Sequence, residues 1–163
     1  MNVIIPPPPV LVHRPEVCPE NPKLRAFVAW WEVQGPFAIK LLRGNTTDNE
    51  QLKLYGQGRW LPGKVVTNAK TAASSAHGHA AAIDAHPVRE LYGNGKVKLI
   101  YLGDEPEEAV RAEALARFRA MADIAAQQFG IESGRDFPGL KDFPHLQDPD
   151  WKTLPLAPGV AHV

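Results

Sequence analysis

Two short, widely separated stretches place the tightest demand on the fold. The first is Ser75-Ala76-His77-Gly78-His79-Ala80-Ala81-Ala82-Ile83-Asp84, and the second is Asp142-Phe143-Pro144-His145. Each joins histidine to carboxylate. Seven residues along a straight strand would hold His77 and Asp84 roughly 23 Å apart, so the chain must turn between them if both serve one centre. The small residues at 78–82 permit that turn. Asp84 stands in an apolar run, 80–85, that reads as a buried strand. Its carboxylate needs a partner there, because an unpaired buried charge is very costly. A metal ion is one such partner; an arginine or backbone donors are the others. Zinc accepts nitrogen and carboxylate ligands, and a catalytic zinc keeps one position open for water. A fold that brings the two stretches together therefore builds a catalytic metal centre.

Asp142 and His145 stand three residues apart. Pro144 disfavours helix at Phe143, so the spacing predicts a turn leading into a short extended segment. One of the two residues can ligate a metal while the other faces its bound water. A zinc-bound water ionises near neutrality, and an adjacent carboxylate can take its proton. Of the six histidines, His79 lies within the first stretch beside His77 and His86 follows it closely. Each reads either as a structural residue or as an outer partner of the site. Trp60 reads as cleft lining or as rim packing.

The remaining periodicities predict an α+β chain. Asn21-Pro22 is a helix start, with asparagine as cap and proline at the first helical position. Leu24, Phe27, Val28 and Trp31 then give the three-and-four spacing of a core face, ended by Gly35-Pro36. Residues 37–42 read as a strand, and Asp48 as the cap of a second helix carrying Leu52 and Tyr55. Residues 64–67 and 96–102 read as further strands, with Asn94-Gly95 as a turn before the latter. The longest predicted element is a helix over 105–129, with Val110, Ala114, Leu115, Phe118, Met121, Ala122 and Ala125 as its apolar stripe and Gly130 closing it. The proline run 6–9 makes residues 1–20 an N-terminal arm, either extended on the domain or poorly ordered. Residues 21–163 read as one domain.

Composition excludes several function classes. Eighteen cationic and eighteen acidic residues cancel, which leaves no basic footprint for nucleic acid. Cys18 is the single cysteine, so no internal disulfide can form, and its setting beside Pro19 reads as inert. No stretch approaches the ~20 apolar residues of a membrane span, and the first residues lack the charged region of a signal peptide. Stable membrane association is not expected.

Beyond these readings, the segment Leu54-Tyr55-Gly56-Gln57-Gly58-Arg59, continued by Pro62-Gly63-Lys64-Val65-Val66-Thr67-Asn68-Ala69 and then by Ser75-x-His77…Ala82-x-Asp84, carries a resemblance. It is similar to the zinc peptidases that cleave bacterial peptidoglycan stem peptides, the D-alanyl-D-alanine carboxypeptidase and L-alanyl-D-glutamate endopeptidase family, which includes many phage endolysins. The likeness covers about residues 37–146. The family pattern S-x-H-x-x-G-x-A-x-D, followed near the C-terminus by carboxylate-x-x-H, is present in order.

The resemblance implies a small antiparallel sheet carrying a zinc site and flanked by helices. It implies His77, Asp84 and His145 as ligands to Zn2+ and Asp142 as the catalytic general base. It places Ser75 near the substrate and Gln51 on the helix bordering the cleft, where the alternative is a solvated helix residue. Two departures stand out. Ala80 replaces the motif glycine and would demand a slightly different turn. Thr46 occupies the place where many members carry a substrate-binding arginine, so Arg43 or Arg59 would have to serve, or the zinc alone. The implied activity is hydrolysis of stem-peptide amides, with the L-Ala–D-Glu bond favoured over D-Ala–D-Ala. The implied setting is a monomeric phage endolysin that accumulates in the host cytoplasm, without its own signal peptide, and acts on periplasmic peptidoglycan. The competing reading is a catalytically silent module that binds peptidoglycan or a protein on the same fold.

Overall fold

A computed structural model describes residues 12–13, 17, 19–91, 97–99 and 107–160. The proline run 6–9, Cys18, the Asn94-Gly95 turn, the start of the 105–129 helix and His162 lie outside the described residues. The elements in chain order are β1 (Val12–His13), α1 (Pro22–Gln34), β2 (Ile39–Arg43), α2 (Asp48–Gly56), β3 (Ala82–Leu91), β4 (Val97–Leu99), α3 (Glu108–Phe129), β5 (Glu132–Ser133) and β6 (His145–Gln147). The fold is α+β, with a small sheet flanked by helices, as expected. Strand order is β1-β2-β3-β6-β5, with β4 paired to β3. Every pairing is antiparallel except that of β1 with β2, which is parallel.

α1 begins as its sequence dictates. The Asn21 side chain accepts hydrogen bonds from the Lys23 and Leu24 amides, at 2.9 and 3.3 Å, satisfying donors that have no partner inside the helix. Its amide nitrogen donates to Asp148 at 3.0 Å, which ties the helix start to the chain just after β6. Phe27, Val28 and Trp31 of α1 and Phe118, Met121 and Ala125 of α3 share one buried cluster with Ile39, Leu41, Ile83, Ala85 and Leu146 of the sheet. Each large side chain in such a core contributes about 1.5–3 kcal/mol through burial. Gly130 ends α3 in the left-handed conformation, φ 63°. Among the described residues no helix is long and apolar enough to cross a membrane.

The strand pleat separates core from site. Successive side chains point to opposite faces. With Ile83 and Ala85 in the core, Asp84 between them faces the other way. With Leu146 in the core, His145 and Gln147 face the other way as well.

Three elements differ from expectation. The cap of α2 is Thr47 rather than Asp48, because Glu50 completes a capping box: the Thr47 hydroxyl accepts from the Glu50 amide at 3.3 Å and the Glu50 carboxylate accepts from the Thr47 amide at 2.8 Å. Asp48 instead accepts from the Ala72 amide at 2.9 Å. Residues 64–67 form no strand. The backbone there is held by side chains: Arg59 donates to the Thr67 carbonyl at 3.1 Å and Gln51 to the Ala69 carbonyl at 2.7 Å. β3 starts at Ala82 and runs on to Leu91, because the chain before it coils through short 3-10 turns at Ala72–Ser74 and Ala76–His79.

Candidate metal centre

The sheet register builds the site. Asp84 of β3 is the cross-strand partner of His145 on β6 and of Arg43 on β2, so three adjacent strands present these residues in one row. Regular alternation from Ile39 and Leu41 would send Arg43 into the core. A bulge between Leu41 and Arg43, where two residues of β2 pass a single step of β3, turns it to the site face. His77 arrives separately, from the 3-10 turn Ala76–His79.

Three ligand atoms converge. His77 Nε2 lies 3.2 Å from Asp84 Oδ1 and 3.2 Å from His145 Nδ1, and His145 Nδ1 lies 3.3 Å from Asp84 Oδ1. Ligands about 2.0–2.1 Å from a tetrahedral ion stand about 3.3–3.4 Å apart, so the triangle fits a zinc-sized cation. The group could hold a metal ion. Each imidazole has its other nitrogen engaged. His77 Nδ1 donates to the Gly44 carbonyl, which leaves the Nε2 lone pair facing the centre. His145 Nε2 is 2.8 Å from Gln147 Oε1, which leaves Nδ1 facing it.

Electrostatics fit the same reading. Burial alone would raise the Asp84 carboxyl, but His77 and His145 outweigh it and hold it far below the usual carboxylate range. Burial pushes His77 down. Burial also acts downward on His145, yet its hydrogen bond to Asp84 and that carboxylate's charge raise it overall. The proton that His145 holds against Asp84 occupies part of the place a cation would take. Metal binding must expel that proton. Affinity is therefore expected to rise with pH, with a log–log slope of about one below the raised pKa of His145 and about zero above it. Chelator competition at graded pH measures this; a flat profile across that range would exclude His145 as a ligand.

Beside the three ligands lies a cleft of about 560 Å³, lined by Arg43, Thr67, Asn68, Ser75, His77, Phe137, Asp142, His145 and Trp151, among others. Asp142 is half-buried at this cleft. Burial first, and the nearby Asp84 charge second, raise its carboxyl from 3.8 to about 6, against the pull of His145 and Arg43. Its carbonyl anchors the turn by accepting from the His145 amide at 3.1 Å. Gly134 makes that turn possible, since a Cβ there would fall 2.3 Å from the Asp142 carbonyl oxygen and 3.0 Å from the Cβ of His145.

The other expected site residues separate. Ser75 and Arg43 line the cleft. Arg43 donates to Gln51 Oε1 at 2.9 Å and stands 3.9 Å from Asp84. Gln51 itself is 1% exposed and donates to Thr67 and Ala69, so it is neither a solvated helix residue nor part of the cleft surface; it holds Arg43 and the cleft wall. Arg59 stacks on Tyr55 and donates to Tyr55, Thr67 and Asn68. It clamps the outside of that wall and does not line the cleft. Thr46 is buried at 2% exposure, its amide donating to the His77 carbonyl at 3.3 Å; the position secures the ligand turn and offers no surface for a substrate-facing side chain.

His79 has a structural place, with its ring nitrogens 2.8 Å from the Leu154 carbonyl and 3.1 Å from that of Ala73. His86 is buried against Phe118, and Trp60 is a surface residue packed on Gly56 and Tyr55. Sequence reasoning missed Gly44, Gly134, Gln147 and Glu132. Gln147 was the detectable one, since it stands two residues beyond His145 on a predicted extended segment and thus on the same face.

Ala80 adopts φ 53° and ψ 24°. The departure from the motif glycine is accommodated as left-handed backbone, which costs a non-glycine residue about 1–2 kcal/mol. Ala80→Gly is expected to stabilise the protein by about 1 kcal/mol, read as a raised denaturation midpoint with metal affinity retained.

No protein-family model matches the chain. Among solved structures the chain is similar to the crystal structure of the Serratia marcescens L-Ala D-Glu endopeptidase ChiX, at 18% sequence identity and a TM-score of 0.40, covering 77% of this chain and 74% of that one.

Proposed function

We propose that this chain is a zinc-dependent peptidase that hydrolyses amide bonds in bacterial peptidoglycan stem peptides, with the L-Ala–D-Glu bond preferred over D-Ala–D-Ala, and that it serves as a phage endolysin. Residues 21–163 would form the peptidase domain and residues 1–20 an N-terminal arm, whose Val12–His13 adds an edge strand to the domain's sheet. The observation that carries the reading is the convergence of His77, Asp84 and His145 at one end of a cleft that also holds Asp142. Each comes from a position of the sequence pattern described above.

A bound zinc would supply an acidified water and a Lewis acid for the developing oxyanion. The protein groups do the rest. Asp142, raised to about 6, is matched to taking a proton from a water near neutral pH and returning it to the leaving amine. Arg43, oriented by Gln51, offers a fixed cation to a substrate carbonyl or carboxylate. Ser75 borders the same space.

Digestion of Gram-negative sacculi by the zinc-loaded protein, followed by mass spectrometry of the muropeptides, tests the proposal. Newly exposed D-Glu amino termini support endopeptidase action. Loss of terminal D-Ala alone would move the assignment to carboxypeptidase. Zinc-loaded protein that binds sacculi and releases nothing would overturn the peptidase and leave the silent binding module.

A further inference from the structure

We propose that Glu132, acting through Gln147, favours the His145 tautomer whose Nδ1 lone pair faces the metal centre. The proposal rests on the metal-site reading given above. Glu132 and Gln147 are cross-strand partners on β5 and β6. Gln147 is 7% exposed and Glu132 is exposed at the edge of the cleft. Gln147 Nε2 donates to Glu132 Oε2 at 2.6 Å, and Gln147 Oε1 meets His145 Nε2 at 2.8 Å.

The logic follows from donor and acceptor inventories. A glutamine amide can turn either end toward a neighbour, and a neutral imidazole can carry its proton on either nitrogen. With Gln147 reversed, its NH2 would meet His145 Nε2. That nitrogen would then have to accept, the proton would move to Nδ1, and the lone pair facing Asp84 and His77 would be lost. A carboxylate only accepts hydrogen bonds. Glu132 therefore demands the NH2 of Gln147, which sends Oε1 to His145 and keeps a proton on Nε2, so that Nδ1 is the nitrogen that gives up its proton and ligates when a cation binds beside Asp84. An exposed carboxylate two hydrogen bonds from the centre thus acts as a positioning residue for a ligand it does not touch.

Glu132→Ala removes the acceptor at an exposed position, and Glu132→Gln keeps the size but can donate as well as accept, so it no longer forces one orientation on Gln147. In zinc-loaded protein, NMR should show a slowly exchanging, hydrogen-bonded Nε2 proton on His145 in wild type. Faster exchange of that proton is expected in Glu132→Ala. Zinc affinity by chelator competition should fall about tenfold or more in Glu132→Ala and by less in Glu132→Gln, which can still accept. A Glu132→Ala protein with the wild-type Nε2 proton signal and wild-type affinity overturns the proposal. Wild type that binds no zinc defeats the metal-centre reading alone, and whether the Gln147 side-chain amide keeps one orientation in wild type and samples two in Glu132→Ala then still decides the relay.

Discussion

Asp142→Asn is expected to lower kcat/KM on peptidoglycan by about 10²–10⁴-fold while leaving zinc content at the wild-type level. The side chain lies in the cleft but outside the three-atom ligand group, so its loss removes a proton acceptor and not a metal donor. Wild-type activity should fall as pH drops through the Asp142 pKa, at or below its metal-free value of about 6, since a bound cation favours the ionised form. The variant should lack that acid limb. Stability gives an independent check. The native carboxyl is raised above its ordinary 3.8, so the fold favours the protonated form, and that stabilisation is full below about 4 and lost as pH rises through about 6. Metal-free Asp142→Asn should therefore melt at a higher temperature than wild type above this window and close to it below. A variant with full activity and bound zinc would remove Asp142 from the mechanism.

Gly78→Ala should have the largest effect on the fold of the site. A Cβ at position 78 would lie 2.0 Å from the Ala72 carbonyl oxygen and 2.4 Å from its carbonyl carbon. Neither atom is the tip of a flexible side chain. The Ala72 amide is held by Asp48 at 2.9 Å, its carbonyl accepts from the Ser75 amide at 2.9 Å, and the Gly78 carbonyl accepts from the Ala157 amide at 2.8 Å. Relief requires the turn bearing His77 to move. A loss of about 3 kcal/mol or more is expected, together with weakened zinc binding, read from denaturant unfolding and from metal analysis of the purified variant. Wild-type values for both would show that the turn tolerates displacement. Ala80→Gly, two residues on, is expected to act in the opposite direction, because there the limit is a positive φ and not a close approach.

Much of the architecture was legible because it depends on short-range physics. Asn21-Pro22 specified a cap and a first turn, and the stripe from Val110 to Ala125 specified a helix whose buried residues are those the period predicts, except that Leu115 is only half-buried. The strand at 64–67 misled because its apolar pair, Val65 and Val66, is half-exposed loop. The donors that hold the segment, Arg59 and Gln51, come from α2 and the turn after it, a relationship that local propensity does not encode. The Thr47 cap could have been found from Glu50 three residues later, a capping box present in the sequence itself.

The chain's own pattern therefore determined which residue types could meet at a metal centre, since strand alternation leaves Asp84 and His145 opposite the core once Ile83 and Leu146 are buried. It could not decide between Arg43 and Arg59. That choice lies in a bulge, one extra residue that reverses the face Arg43 presents, and in a clamp that commits Arg59 to the cleft's outer wall. Nor could it decide which nitrogen of each histidine is free, because that depends on partners, Gly44 and Gln147, whose approach only the tertiary structure sets. Periodicity fixes the side of a strand on which a residue lies; register, bulges and hydrogen-bond partners fix which atom it offers.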